Sequence, residues 1–260
     1  MSELLELQQD GPVLTVALNR PDKHNAMTPA LIAELTAVFQ KVSDEESVRV
    51  VILTGNGRSF CAGADLEFMR AAADYTFEEN VADAETIFDL MLAVDSCPKP
   101  VIGRVNGAAI GGGVGLVSCC DIAVAVERAR FAFSEARLGI VAAVISPFVL
   151  ARISASNARE LLLTGERFDA PHARQIELVH HVVADEAALD EKVAERVEQL
   201  LLAAPGAQAA IKSLIRTVSG QSKAELRAYT ADLIAQRRAS PEGREGMSAF
   251  LEKREPGWHV

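Results

Sequence analysis

The sequence predicts an α/β fold. Three observations carry that expectation. Short runs of β-branched and apolar residues recur, at Val13–Leu18, Val48–Thr54, Pro100–Val105 and Ile122–Val126, as strands do. Stretches with apolar residues at helical spacing alternate with them, beginning with Leu31, Leu35, Val38 and Val42. From Asn157 onward the pattern is helical. The alternation describes strand-turn-helix units for roughly the first 180 residues, followed by a helical end.

In chain order, Val13–Leu18 reads as a strand and Asn19 to Ala26 as a loop. Thr28 caps a helix, with Pro29 in its first turn. Val48–Thr54 is apolar except for Arg49, which suits a strand covered on both faces. After a turn at Gly55–Arg58 come the small residues Ser59-Phe60-Cys61-Ala62-Gly63-Ala64-Asp65-Leu66, then a charged, alanine-rich segment to about Asn80. A helix over Ala82–Val94 is stopped by Pro98 and Pro100. Pro100–Val105 is strand-like and leads into Asn106-Gly107-Ala108-Ala109-Ile110-Gly111-Gly112-Gly113-Val114-Gly115-Leu116. Ile122–Val126 is a buried strand, and Ala129–Phe133 a further one that delivers Ser134-Glu135. Leu138–Val149 reads as an apolar loop and helix containing Pro147. Helices are expected over Ala158–Leu163, Ala170–Glu177, Glu186–Leu202, 207–218 and 222–238, with one short strand at Val179–Val183.

Composition removes several classes of function. A net charge of −10 argues against a nucleic-acid surface, which needs a basic patch. The acidic start Met1–Glu6 is unlike a signal peptide. The longest uncharged run, Val105–Cys120, has 16 residues including five glycines, which is short for a membrane span. Neither a nucleic-acid nor a membrane partner is expected. Cys61, Cys97, Cys119 and Cys120 lack metal-ligand spacing. They read as small buried hydrophobes in a reducing cytoplasm, so no metal site is expected.

The glycine triplet after a strand leaves backbone N–H groups open to close approach. At the start of a helix those groups lack internal partners, and the helix dipole favours negative charge. Such a stretch can hold an oxygen that becomes an anion, or it can be a hinge or packing contact. The second small-residue turn, near Ala64, would add another N–H to the one near Gly112. The five histidines stand beside no nucleophile motif, so acyl-enzyme chemistry is not indicated. Enolate chemistry with one general acid/base is left. Glu135 is the candidate, set among apolar residues that raise a carboxyl pKa. Its other reading is a strand-end carboxylate paired with Arg137.

Ser59–Leu66 and Asn106–Gly113 resemble the paired signatures of the crotonase (enoyl-CoA hydratase/isomerase) superfamily. Leu18-Asn19-Arg20-Pro21, Asn25-Ala26, Cys120-Asp121-Ile122-Ala123 and Phe250-Leu251-Glu252-Lys253-Arg254 match further landmarks. The resemblance implies a crotonase (ClpP-like) spiral of ββα units over 1–195, with an acyl-CoA site. A helical C-terminal trimerisation region over 196–260 would follow, giving a homotrimer or a hexamer. It implies oxyanion donors at Ala64 and Gly112 and a catalytic Glu135. Ala62 and Asp65 would lie at the coenzyme A moiety, with Phe250 and Lys253 enclosing its nucleotide. No separate cofactor is implied, coenzyme A being part of the substrate. The family's hydratases commonly carry a second glutamate where this chain has Gly115. Gly115–Asp121 with Ala143–Phe148 is similar to a bacterial subgroup described as 3-methylglutaconyl-CoA and isohexenylglutaconyl-CoA hydratases. The implied activity is hydration of a 2,3-unsaturated acyl-CoA, with a double-bond isomerase or a non-catalytic acyl-CoA-binding protein as alternatives. A basic residue near the acyl group is wanted for such substrates, and Arg137 is the candidate.

Overall fold

The computed structural model describes residues 3–259. Two sheets form the core. The larger contains β1 (Leu5–Asp10), β2 (Val13–Leu18), β3 (Val50–Gly55), β5 (Val101–Val105), β7 (Ile122–Val126) and β10 (His181–Val183), in that order. All its pairs are parallel except the hairpin of β1 with β2. The smaller runs β4 (Ser59–Cys61), β6 (Ala108–Ile110), β8 (Arg130–Ala132) and β9 (Arg167–Asp169). In it β4, β6 and β8 are parallel, while β9 runs antiparallel to β8. Successive strands of one unit thus feed both sheets: β3 the larger and β4 the smaller, then β5 and β6, then β7 and β8.

The first helix, α1 (Pro29–Asp44), begins as expected, with Thr28 Oγ1 accepting from the Leu31 amide. It buries Leu31, Leu35, Phe39 and Val42. Next come α2 (Leu66–Ala72), α3 (Phe77–Ser96) and α4 (Gly112–Cys119). Thr76 and Glu79 form a capping box at the start of α3. Then follow α5 (Ser146–Leu150), α6 (Ala155–Thr164), α7 (Ala170–Gln175) and α8 (Glu186–Leu201). The end is α9 (Pro205–Val218), α10 (Lys223–Ala239) and α11 (Pro241–Glu252). Lys212 ties α9 to the core through Asp121, whose carboxylate also accepts from the Val101 amide. Phe39, Phe60, Phe131 and Phe133 are fully buried at the centre.

Three expectations are corrected. Strand β1 was not foreseen, because only Leu5 of its residues is buried and an edge strand leaves no apolar run to read. The segment after Asp65 is helix α2, capped by the Asp65 side chain, and α3 begins several residues before Ala82. The last strand is confined to His181–Val183. The four cysteines are buried and free, and burial pushes the Cys61 and Cys120 thiols up to about 12.

Candidate active site

Strands β4, β6 and β8 are neighbours and point the same way. Their carboxyl ends therefore open on one place, the usual position of a site in parallel sheets. Each end delivers one sequence-predicted group. After β4 come Ala62, Gly63, Ala64 and Asp65. After β6 come Gly111 and Gly112, and after β8 comes Glu135.

The first two loops touch. A Cβ on Gly63 would lie 2.8 Å from the Ile110 carbonyl oxygen, and φ is +86° there. A Cβ on Gly113 would lie 2.2 Å from the Cys61 carbonyl oxygen. Glycine is needed at both because backbone meets backbone. The Gly111 amide donates to the Ala132 carbonyl at 2.8 Å, which locks the start of α4 to the end of β8.

Met27 joins the two donor loops. It forms a parallel bridge with Ala64: its amide donates to the Gly63 carbonyl at 2.7 Å, and its carbonyl accepts from the Asp65 amide at 2.9 Å. In such a bridge the Ala64 N–H itself points away from Met27. The Met27 methyl group lies against Gly112, where a Cβ would come within 2.3 Å of it. The Gly112 amide opens α4 and lacks an intrahelical acceptor. Neither the Ala64 nor the Gly112 N–H has an acceptor among the described residues.

Glu135 starts a 3-10 turn over Glu135–Leu138. Its carboxylate lies against Gly111, where a Cβ would sit 3.1 Å from Oε1. Oε2 is buried without a hydrogen-bond partner. Burial raises its pKa above the ordinary value of 4.5. Arg137 is not its partner: the guanidinium turns away and donates to the Thr164 carbonyl at 2.9 Å. Of the two readings of Glu135, the surface ion pair is therefore removed.

A clamp that sequence reasoning missed holds the Ala64 loop. Arg20 pairs with Asp65 at 2.9 Å and also donates to the Ala26 carbonyl. Asp65 accepts from the Glu67 amide at 2.8 Å, capping α2. Burial pushes the Asp65 carboxyl up, but the Glu67 amide and the Arg20 guanidinium outweigh it and hold the pKa low. Asn25, fully buried, accepts from the Arg20 amide and donates to the Asn56 and Ser59 carbonyls. The Ala62 amide donates to the His24 carbonyl. The signal was present as Asn19-Arg20-Pro21 to Asn25-Ala26, but nothing in local sequence says that it closes on Asp65. Arg20→Ala is expected to cost about 3 kcal/mol, the penalty for stripping one partner from a buried pair. A chemical denaturation curve measures it, and an unchanged midpoint would contradict the clamp.

Phe250 and Lys253 lie far along the chain at the end of α11. Phe250 is 82% exposed, and Lys253 adopts a left-handed conformation that closes the helix.

A family profile described as enoyl-CoA hydratase/isomerase matches residues 8–260. The chain belongs to the enoyl-CoA hydratase/isomerase family. An enoyl-CoA hydratase from Shewanella pealeana is 40% identical, and its structure matches with a TM-score of 0.94 over 98% of this chain and 96% of the other. Pseudomonas aeruginosa AtuE is 38% identical with a TM-score of 0.96, over 99% and 100% of the two chains. A carnitinyl-CoA dehydratase from Citrobacter koseri is 36% identical over 99% of each chain. The α/β architecture is thus that of crotonase structures, and the chain is an enzyme of the enoyl-CoA hydratase/isomerase family. These names do not carry the narrower glutaconyl-CoA subgroup.

Within an enoyl-CoA hydratase/isomerase site, Gly115 is the informative departure. A Cβ there would lie 2.5 Å from Ile145 Cγ2 and 3.1 Å from Met91 Cε. The glycine is enclosed by apolar atoms, so the place has no room for a carboxylate.

Proposed function

We propose that this enzyme is an enoyl-CoA hydratase, adding water reversibly to a 2,3-unsaturated acyl-CoA. The observation that carries the reading is Glu135, half-buried with its Oε2 buried and unpartnered, set against the first turn of a helix whose opening amide is free. In this reading the Ala64 and Gly112 N–H groups hold the thioester oxygen and the enolate charge that forms on it. That withdraws electrons from the double bond and makes C3 electrophilic. Glu135 takes a proton from water as it attacks C3. A proton then reaches C2 from Glu135 or from water.

The substrate's acyl group is proposed to be of the 3-methylglutaconyl type, on the resemblance of Gly115–Asp121 and Ala143–Phe148. Arg137 donates only its Nε–H to the Thr164 carbonyl and keeps its charge, so it stays the proposed counter-charge for a distal carboxylate of the substrate. The Ala62 N–H is committed to His24, so a contact with the adenine would use the Ala62 carbonyl oxygen. Asp65 acts there through the Arg20 clamp rather than as a free carboxylate. Phe250 and Leu251, 82% and 79% exposed, support a role for α11 against a neighbouring subunit or its nucleotide. A homotrimer or hexamer built on the C-terminal helices is proposed on that basis, and a cytoplasmic location on the four free, buried cysteines. No helix among the described residues is long and apolar enough to cross a membrane.

The isomerase reading is favoured by Gly115 alone, since moving a proton needs a single carboxylate. One experiment separates the two. Crotonyl-CoA and a 3,4-unsaturated acyl-CoA are incubated in isotopically labelled water and read by mass spectrometry. Gain of one water by crotonyl-CoA is expected. Conversion of the 3,4-isomer with no hydration of either compound would establish the isomerase instead.

A further inference from the structure

We propose that Arg152 is a positioning residue of this active site: its guanidinium holds the far end of helix α4 and so aims the Gly112 amide at the thioester oxygen. The inference rests on the reading of Gly112 as an oxyanion donor and deepens it.

Helix α4 is weak by its own sequence. Three of its eight residues, Gly112, Gly113 and Gly115, are glycines, the poorest helix formers after proline. A helix this short is marginal even with good formers. Its opening amide is therefore placed only as well as the contacts that fix the helix from outside. At the start, the Gly111 amide donates to the Ala132 carbonyl at 2.8 Å. At the end, the carbonyls of the last turn need partners. Cys120 supplies two: its thiol donates to the Leu116 carbonyl at 3.2 Å and its amide to the Val117 carbonyl at 3.3 Å. Arg152 supplies the next. Its Nη1 donates to the Ser118 carbonyl at 3.2 Å and to the Cys120 carbonyl just past the helix. Its Nε–H donates to the Leu178 carbonyl at 3.1 Å. Its Nη2 lies 3.1 Å from His180 Nδ1, which the Ala123 amide of β7 also approaches at 3.0 Å. One half-buried guanidinium thus ties the end of α4 to β7 and to the loop after α7. Its planar fork fixes direction as well as distance, which an ammonium does not.

Charge adds to geometry. The bonded partners of Arg152 are all neutral: three carbonyls and an imidazole. Burial, then the Arg152 charge, hold that imidazole deprotonated, with its pKa lowered to about 4. The nearby carboxylates of Asp121 and Asp95 are paired with Lys212 and Arg216. A cation at a helix C-terminus complements the dipole that favours negative charge at the N-terminus. The eight residues of α4 put it about 12 Å from the Gly112 amide. At that range one unit charge favours a forming oxyanion by about tenfold.

The test compares the wild-type chain with Arg152→Lys, which keeps the charge and loses the fork, and Arg152→Gln, which loses both. Each is measured at a temperature where it is folded. The first readout is kcat and KM for crotonyl-CoA hydration. The second is the pKa of bound acetoacetyl-CoA, whose enolate absorbs in the near ultraviolet and shares its charge with the thioester oxygen. In the lysine variant kcat is expected to fall about threefold, and in the glutamine variant about thirtyfold, with KM within about twofold of wild type. The pKa of the bound enolate should rise in step, by about 0.5 and about 1.5. A merely structural role would lower the melting temperature and leave that pKa where it was. Wild-type kcat and enolate pKa in Arg152→Lys would overturn the proposal, even where the glutamine variant fails to fold. A wild-type chain that lowers the enolate pKa but hydrates no crotonyl-CoA would sink the hydratase reading, and the enolate pKa of the variants would still judge Arg152. An enolate pKa no lower bound than free would remove the oxyanion reading and this proposal with it.

Discussion

Glu135→Gln is expected to lower kcat by about 10²- to 10⁴-fold, the usual share of a positioned general acid/base. The amide keeps the shape of the side chain and removes only its proton traffic. KM should change little, because the Ala64 and Gly112 amides are untouched. The pH profile of the wild-type chain carries the same information. Hydration needs the carboxylate ionised, so activity falls with pH through a pKa raised above 4.5 by burial. The folded chain thus holds this proton more tightly than the unfolded chain. Stability from this group is present at low pH and is lost as pH rises from the unfolded pKa through the folded one. At neutral pH the ionised carboxylate, with Oε2 buried and unpartnered, is a cost. The glutamine variant should therefore melt no lower than wild type at neutral pH, and its advantage should shrink as pH falls toward 4.5. Steady-state kinetics and calorimetry across pH check both halves. Undiminished turnover, or a glutamine variant that melts well below wild type, would contradict the role given to Glu135.

Gly113→Ala should be far more damaging than Gly112→Ala, although the two are adjacent. The added Cβ at 113 would lie 2.2 Å from the Cys61 carbonyl oxygen and 3.0 Å from its carbon. Those are backbone atoms of β4, and they can move only by shifting the strand that carries Ala64. Overpacking of this kind costs about 1–3 kcal/mol. A displacement of about 1 Å in a donor can cost 10²-fold in rate. At 112 the obstacle is Met27 Cε, the far end of a flexible side chain. Met27→Ala opens a cavity of its own, at about 2–5 kcal/mol, so combined with Gly112→Ala it should lose less than the two single losses summed, whereas combined with Gly113→Ala the losses should add. Thermal melts and crotonyl-CoA hydration of the three single and two double variants decide it, and equal losses at both glycines would contradict the packing described.

The legible part of the site was local. Glycine and alanine after Cys61 and after Ile110 announced exposed amides, because small residues are what close backbone approach requires. Glu135 stood out as a carboxylate delivered by an apolar strand. The helix over 29–44 was readable from Thr28, Pro29 and the spacing of Leu31, Leu35 and Val42. What stayed hidden depended on distance in sequence. Strand β1 carries no pattern of its own and exists because β2 offers it an edge. Arg20 and Asp65 are 45 residues apart, yet they meet at 2.9 Å.

The sequence alone determined that this chain alternates strands and helices and bears two amide-rich turns and one apolar-set glutamate. Those are properties of backbone freedom and side-chain polarity, written residue by residue. Only the tertiary structure decided that β4, β6 and β8 end side by side, that Met27 spans both turns, and that Ile145 fills the space at Gly115. Such facts arise from packing, where each side chain's place is set by whatever distant segment occupies the volume beside it.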